Sequence, residues 1–263
     1  MKNPREYGSP PYSIAVIHGG PGACGEMKPV AENLSKDLGI LEPLQTSSSL
    51  QGQVDELKKI LSRSGTSPFI LVGFSWGAWL SLLTTAYYPS LIKKIILIGS
   101  GPFKEKYVEK ISKTRLSRLN KKEKIDFKST IKKLNDPRSE NNSYLIQKLE
   151  DYMNTTDQYN PRKDNEKENN SFNQEIFRKV WKEAETLRIS GKLIDTISSI
   201  KCPVVAIHGD YDPHPAEGVK KPLARILNDF RFIKLERCGH KPWIEKEAKD
   251  NFYRILRKEL YSI

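Results

Sequence analysis

The sequence has few cysteines, few histidines and no long apolar run, and each shortage argues against a class of protein or a kind of site. Its 263 residues include three cysteines, Cys24, Cys202 and Cys238, which follow no repeated spacing. An odd, unpatterned set is typical of reduced thiols, so we expect a cytoplasmic protein. No apolar run approaches the roughly 20 residues that a membrane helix needs, so we expect no membrane partner. The first residues hold no apolar stretch either, which predicts no signal peptide.

Acidic residues are also in short supply, because 44 Lys and Arg face 32 Asp and Glu, a formal net charge of +12. The basic excess is spread along the chain, with no basic arm or low-complexity tail. We therefore expect a solvated basic surface and no nucleic-acid partner. The four histidines lack paired spacing and the cysteines lack a C-x-x-C, so the sequence predicts no metal site.

Short apolar runs alternate with helical patterns towards both ends of the chain. Strands are predicted at 13–17, 39–44, 68–72, 94–98, 203–207 and 231–235. Helices are predicted at about 26–38, 50–64, 76–88, 215–228 and 241–261. The alternation is typical of a mostly parallel sheet with helices on both faces. Because only about twelve residues precede the first strand, we expect about six strands and no opening antiparallel hairpin.

One pentapeptide joins a predicted strand to a predicted helix. Gly73-Phe74-Ser75-Trp76-Gly77 follows the apolar run at 69–72 directly and precedes another apolar stretch. A serine between two glycines at a strand-to-helix turn is typical of a nucleophile elbow, where glycine lets the chain double back. Ser75 is therefore the candidate nucleophile.

A nucleophilic serine needs a base to take its proton and an acid to orient that base. His240 follows the predicted strand at 231–235, and Asp212 follows the strand at 203–207. The three side chains thus come at the carboxyl ends of predicted strands, where ligands bind in open α/β sheets. Their order along the chain, Ser, Asp, His, is that of α/β hydrolases.

Two other residues of the turn after residue 207 compete for a role. Asp210 could be the acid, but we favour Asp212, which lies one step further round the turn and precedes Pro213. Asp210 is then expected to bond its own backbone. His214 is open between a surface position and the rim of a pocket, whereas His18 and His208 are expected to stabilise their loops.

A glycine-rich loop, His18-Gly19-Gly20-Pro21-Gly22, follows the first predicted strand. Glycines let backbone N–H groups approach the negative charge that develops on a reacting carbonyl oxygen. We predict an oxyanion hole made by the backbone N–H groups of Gly20 and Trp76. Pro21 has no N–H and can only shape the loop.

This set of motifs resembles the α/β-hydrolase superfamily, and within it the proline iminopeptidase-like and carboxylesterase-like branch. The resemblance covers residues 12–100 and 201–263. It implies the α/β-hydrolase fold and hydrolysis of an ester or amide through an acyl-enzyme, with no cofactor. Iminopeptidase relatives usually carry an Asp-Gln-Arg-Gly segment after the second predicted strand. Here Gln45-Thr46-Ser47-Ser48-Ser49 follows that strand instead.

Between residues 102 and 200 the pattern changes to Lys- and Glu-rich helical segments. Helices are predicted near 104–123, 126–134, 140–153 and 172–190, and the polar stretch 154–173 predicts a loop. We therefore expect a core domain of residues 1–101 and 201–263 with an inserted helical cap of residues 102–200 over the site. Its aromatic candidates for lining the acyl pocket are Phe103, Tyr107, Tyr144, Tyr152, Phe177 and Trp181.

The sequence therefore predicts a serine hydrolase that cleaves a small-molecule carboxylic ester or amide. One alternative is a proline iminopeptidase-like aminopeptidase, supported by the glycine loop and Trp76 and opposed by the segment at 45–49. A second is a non-enzymatic relative that binds a small ligand, and the complete set of Ser75, Asp212 and His240 argues against it. The oligomeric state is left open.

Overall fold

Seven strands form the central sheet in the computed structural model, which describes residues 2–134, 136, 143–162 and 171–262. In chain order the strands of the protein are β1 Arg5–Tyr7, β2 Tyr12–Ile17, β3 Ala23–Cys24, β4 Gly39–Glu42, β5 Phe69–Phe74, β6 Ile92–Ile98, β7 Ser171–Phe172, β8 Val204–Gly209 and β9 Phe230–Leu235. The sheet order is β1-β4-β2-β5-β6-β8-β9. All neighbours pair in parallel except β1, which is antiparallel to β4. Strands β3 and β7 form a separate antiparallel ribbon.

Helices cover both faces of this sheet. They are α1 Lys28–Leu34, α2 Leu50–Ser64, α3 Trp76–Tyr87, α4 Val108–Ser117, α5 Lys121–Leu134, α6 Ser143–Asp157, α7 Gln174–Ile189, α8 Lys192–Ile197, α9 Glu217–Ile226 and α10 Lys249–Tyr261. Helices α1 and α10 pack in one buried cluster, and α2, α3 and α9 pack in the other. The predicted fold class, a mostly parallel sheet between helical layers, is confirmed.

Strand β5 shows why the central strands read as unbroken apolar runs. Phe69 and Leu71 lie in the cluster of α2 and α3, whereas Ile70 and Val72 lie in the cluster of α1 and α10. Successive side chains of a strand point to opposite faces, so a strand covered on both sides must be apolar throughout. All six residues of β5 are buried.

The structure differs from the sequence prediction in the number of strands and in where two helices begin or end. All six predicted strands are present, and β1 adds a seventh, an antiparallel edge strand that is too short and polar to give an apolar run. The helix predicted from residue 241 begins only at Lys249, because a short 3-10 turn and a loop precede it. Helix α6 continues to Asp157 into the predicted loop, while residues 163–170 of that loop lie outside the described residues.

Helices α4 to α8 lie between β6 and β8 in the chain. Trp181 of α7 stacks on Trp79 of α3 at 6.0 Å between ring centroids, so the insertion packs directly on the helix that follows β5. The division into core and cap stays a prediction. Within the part of the chain that the structure describes, no helix has both the length and the apolar character to cross a membrane.

Candidate active site

The turn between β5 and α3 is tight enough to require glycine on both sides of Ser75. A Cβ atom added to Gly73 would lie 2.2 Å from the carbonyl oxygen of Gly77. One added to Gly77 would lie 2.3 Å from the carbonyl oxygen of Ile17, at the end of β2. Ser75 itself has φ 51° and ψ −109°, a conformation that non-glycine residues rarely adopt. Such strain, of order 1–3 kcal/mol, is typical of functional positions.

The Ser75 hydroxyl is not used to build the turn. Ser75 occupies the N-cap position of α3, yet its side chain accepts no capping hydrogen bond. Its backbone N–H instead donates to the carbonyl oxygen of Ile98 at 2.9 Å, which fixes the elbow to the neighbouring strand. The hydroxyl therefore lies at the positive end of a 12-residue helix without being committed to it.

Asp212 and His240, from the turns that follow β8 and β9, meet in a hydrogen bond. The His240 Nδ1 lies 2.8 Å from the Asp212 Oδ2, and both side chains are buried. The His240 ring lies 4.8 Å from the ring of Phe74, the residue before Ser75. It also lies against Gly99, where an added Cβ would be 3.0 Å from Nδ1. The sequence-predicted acid and base are thus brought together beside the serine turn.

Asp210 has a different partner. Its Oδ1 accepts a hydrogen bond from the backbone N–H of Cys238 at 3.1 Å, across to the loop that carries His240. The expectation that it bonds its own backbone therefore needs correction, since it holds the neighbouring loop. The geometry favours Asp212 as the partner of the imidazole.

The charges of this pair are set by burial and by mutual contact. Burial alone would raise the pKa of the Asp212 carboxyl, but the facing imidazoles of His240, His214 and His208 outweigh it and hold that pKa well below 3.8. Burial would likewise lower the pKa of His240, but the charge and hydrogen bond of Asp212 raise it above 6.5 overall. At neutral pH the carboxylate is an anion facing an imidazole that accepts a proton readily.

The glycine-rich loop lies directly against the serine turn. A Cβ atom on Gly77 would lie 2.6 Å from the carbonyl oxygen of His18, so the start of α3 abuts the start of the loop. Gly20 has φ 43°, and its carbonyl oxygen accepts from the N–H of Ala23 at 2.9 Å. The buried His18 ring accepts the N–H of Gln45 at 3.3 Å, which joins the loop to the segment that follows β4. The two predicted oxyanion donors, Gly20 and Trp76, therefore belong to adjoining segments.

The insertion contacts the site from two sides, which sequence patterns did not reveal. The backbone N–H of His240 donates to the carbonyl oxygen of Asp157 at 2.8 Å, and that of Lys241 donates to Gln158 at 3.1 Å. On the other side, the N–H of Asn173 donates to the carbonyl oxygen of Gly22 at 3.0 Å. Residues from both ends of a polar stretch thus hold the histidine loop and the glycine loop.

The predicted aromatic lining divides into buried and exposed members. Phe103 is buried and, like Trp181, packs against Trp79. Tyr144 is 69 % exposed, and the Tyr152 hydroxyl donates to Asp126 at 2.5 Å. Tyr144 therefore lies on the outer surface of the insertion, whereas Tyr152 is half-buried and packs its ring against Phe127 of α5.

One cluster combines oxygen and nitrogen donors of the kind that bind metal ions. Asp212, His214 and His240 offer donor atoms that all lie within 4.8 Å of one another. However, each of the two imidazole Nδ1 atoms lies 2.8 Å from a different oxygen of the carboxylate. We interpret the cluster as a hydrogen-bonded network, because these bonds account for the grouping.

Comparison with known proteins gives one family and several similar folds. The family model described as alpha/beta hydrolase fold matches residues 21–247. Ethanol acetyltransferase 1 of Cyberlindnera jadinii is 33% identical over 93 residues, 34% of this chain and 28% of that protein. The chain therefore spans under a third of that curated relative.

Two solved structures share the fold at low identity. VinJ has a TM-score of 0.69 at 18% identity, with 98% of this chain and 94% of that chain covered. The monoacylglycerol lipase of Paleococcus ferrophilus has a TM-score of 0.62 at 15% identity, with 99% and 98% covered. At these identities the likeness shows the fold alone.

Proposed function

Because the chain belongs to the α/β hydrolase family, we propose that it is a serine hydrolase that cleaves a small-molecule carboxylic ester. The proposal rests on one observation above all. Ser75 is strained and its side chain accepts no capping hydrogen bond, and the preceding residue, Phe74, packs its ring at 4.8 Å against buried His240, whose Nδ1 is 2.8 Å from Asp212. The superfamily predicted from the motifs is confirmed, whereas the branch within it stays a prediction.

The proposed reaction begins when Oγ of Ser75 attacks the carbonyl carbon of the substrate. Nε2 of His240 takes the hydroxyl proton, and Asp212 holds the imidazole in the required tautomer and stabilises the imidazolium. The backbone N–H groups of Gly20 and Trp76 donate to the oxyanion of the tetrahedral intermediate. His240 then protonates the leaving alcohol, and water repeats both steps to release the acid and regenerate Ser75.

We further propose that residues 102–200 act as a cap that shields this reaction from water. The hydrogen bonds from His240 to Asp157 and from Asn173 to Gly22 support it, because they join the insertion to the two loops of the site. A cap fixed in this way would exclude bulk water from the acyl-enzyme until the leaving group departs.

An ester is favoured over a peptide as substrate. The name of one similar protein, an ethanol acetyltransferase, denotes chemistry on an acyl group joined to an alcohol. The segment Gln45-Thr46-Ser47-Ser48-Ser49 stands where iminopeptidase relatives usually carry an arginine. Cleavage of an N-terminal prolyl amide is the alternative, and the glycine loop His18-Gly19-Gly20-Pro21-Gly22 favours it.

The test compares the wild type with Ser75→Ala on p-nitrophenyl acetate, p-nitrophenyl butyrate and proline p-nitroanilide. Ester turnover should fall by several orders of magnitude in the variant, and labelling by a fluorophosphonate should disappear. Ser117→Ala, at an exposed position on α4, should keep both activities. Equal ester turnover in wild type and Ser75→Ala would overturn the proposal. Faster cleavage of the prolyl amide than of both esters would favour the aminopeptidase.

A further inference from the structure

The turn after β8 places a second histidine on the same carboxylate as His240. His214 lies two residues after Asp212, and its side chain is only 14% exposed. Its backbone N–H lies 2.9 Å and its Nδ1 lies 2.8 Å from the Asp212 Oδ1. His240 takes the other oxygen, Oδ2. The carboxylate is therefore shared between two imidazoles, one on each oxygen.

The two imidazoles also contact each other. The rings of His214 and His240 are stacked, with centroids 4.5 Å apart and planes inclined by 28°. Nε2 of His208 lies 2.8 Å from the carbonyl oxygen of His214, which fixes the backbone at that position. Asp212 thus holds the ring of His214 and His208 holds its backbone. The fixed His214 ring therefore limits the movement of the His240 ring on the side that faces it.

The charge of the Asp212 carboxylate determines which ring nitrogens of His214 and His240 carry hydrogen. An ionised carboxylate can only accept hydrogen bonds, so both Nδ1 atoms must carry hydrogen. Each neutral ring then has an unprotonated Nε2, and that of His240 is the atom that the proposed mechanism needs. Burial lowers the pKa of His214 despite the charge of Asp212, so this ring stays neutral near pH 7.

We propose that His214 is a positioning residue, which fixes the Asp212 carboxylate and the His240 ring in one orientation and takes a share of the carboxylate's charge. This inference rests on the proposed roles of Asp212 and His240. A carboxylate that accepts two imidazole N–H groups attracts the proton of each less strongly than one that accepts a single group. His214 therefore keeps His240 from becoming too basic to release its proton to the leaving group.

Other charged groups around the pair come from the insertion and from β8. Asp157 of α6 raises the pKa of His240 and Arg115 of α4 lowers it, both after the larger effect of Asp212. His208 of β8 lies 3.6 Å from the Asp212 Oδ2 and acts on the same carboxylate. These groups are unchanged in variants of His214. A change in the pKa of His240 in those variants therefore reports on the His214 side chain itself.

Two variants separate the hydrogen bond of His214 from its ring. His214→Phe keeps an aromatic ring over His240 but loses the Nδ1 donor. His214→Asn keeps an N–H donor near the Nδ1 position but loses the stack. We expect His214→Phe to lower kcat by about tenfold, the order that loss of one hydrogen bond to a charged group gives, with KM within about twofold. His214→Asn should recover most of kcat.

The pH dependence provides a readout that a purely structural role would not move. In His214→Phe the carboxylate of Asp212 loses one imidazole donor and keeps the backbone N–H of residue 214, so it attracts the proton of His240 more strongly and the acid limb of kcat/KM should move to higher pH. In His214→Asn the limb should stay near its wild-type position. Equal kcat for His214→Phe and wild type with an unmoved limb would overturn the inference, as would equal losses in the two variants.

Nuclear magnetic resonance of 15N-labelled histidines makes the test independent of turnover. With four histidines in the chain, each imidazole can be followed through a pH titration and assigned by substitution. The pKa of His240 should be higher in His214→Phe than in the wild type, and an unchanged value would overturn the inference. Failure of the proposed function would appear separately, as ester turnover that does not depend on Ser75.

Discussion

A single buried carboxylate, that of Glu245, joins the insertion to the loop that carries His240. Its oxygens accept three backbone N–H groups, each at 2.7 Å, from Gly239, Tyr159 and Asn160. Gly239 precedes the candidate base, while the other two donors follow the end of α6. We predict that Glu245→Ala destabilises the fold and also slows turnover, because both segments lose their common acceptor.

The size of the effect follows from the number and kind of bonds. A hydrogen bond to a charged group contributes about 1.5–3 kcal/mol, and water entering the vacated space replaces part of what is lost. We therefore expect Glu245→Ala to lower the free energy of unfolding by about 3–5 kcal/mol, a large share of a typical total of about 5–15 kcal/mol. In Glu245→Gln the Oε1 still accepts from Gly239 and Tyr159, but an amide nitrogen faces the N–H of Asn160. That variant should lose about 1–3 kcal/mol.

Urea denaturation followed by circular dichroism measures these differences, with ester turnover measured on the folded proteins. Glu247→Gln is the matched control, since this exposed carboxylate accepts only from the Asn160 side chain at 2.8 Å among the described residues. It should change stability by about 0.5 kcal/mol or less. A loss under about 1 kcal/mol in Glu245→Ala, or equal losses at both positions, would refute the reasoning.

Three further predictions concern the acid, the base and a remote ion pair. Asp212→Asn should lower kcat about 10⁴-fold by favouring the wrong imidazole tautomer, whereas Asp210→Asn, whose amide oxygen can still accept from backbone, should stay within about threefold. In the wild type, kcat/KM should fall as the pH drops through a pKa above 6.5, because protonation of His240 removes the base. Lys94→Met should lower the free energy of unfolding in urea by about 3 kcal/mol, since Lys94 pairs with a buried carboxylate at 3.2 Å. Lys113→Met, in an exposed pair, should cost about 0.5 kcal/mol or less.

Each of these has an outcome that contradicts it. Equal losses of kcat in Asp212→Asn and Asp210→Asn would mean that the wrong acid has been chosen. A kcat/KM profile that stays flat down to pH 5 would show that no imidazole of raised pKa takes part. Similar urea midpoints for Lys94→Met and Lys113→Met would remove the case for a buried ion pair.

The fold could be predicted from the sequence wherever both faces of an element are covered. Strands β2, β5, β6 and β8 carry apolar side chains in both directions, so their positions follow from composition alone. Strand β1 could not be found in this way, since its three residues lie at an edge and none is fully buried. Strands β3 and β7 have two residues each and exist through a contact between residues about 150 positions apart, which no local pattern records.

The candidate site also has a part that could be predicted from the sequence and a part that could not. Ser75, Asp212 and His240 follow predicted strands, so sheet topology alone brings their turns to one edge. The contacts of His214 depend on ring orientation inside a turn, and those of Glu245 depend on how the insertion folds back. The contact between Asp157 and His240 could not be predicted for another reason. A polar stretch predicts a loop whether or not its backbone hydrogen-bonds to a neighbouring segment.

The carboxylates of Asp210, Asp212 and Glu245, around His240, accept hydrogen bonds from different kinds of donor. Asp210 and Glu245 accept backbone N–H groups of the loop that carries His240 and so hold that loop, whereas Asp212 accepts from two imidazole rings and from the backbone N–H of His214 in its own turn. A carboxylate that holds backbone can keep one ionisation state throughout a reaction, because amide N–H groups do not titrate. Only the carboxylate that faces imidazoles experiences a change of charge when His240 takes and returns a proton. Separating the two tasks allows the charge on the ring to change while the loop that carries it stays in place.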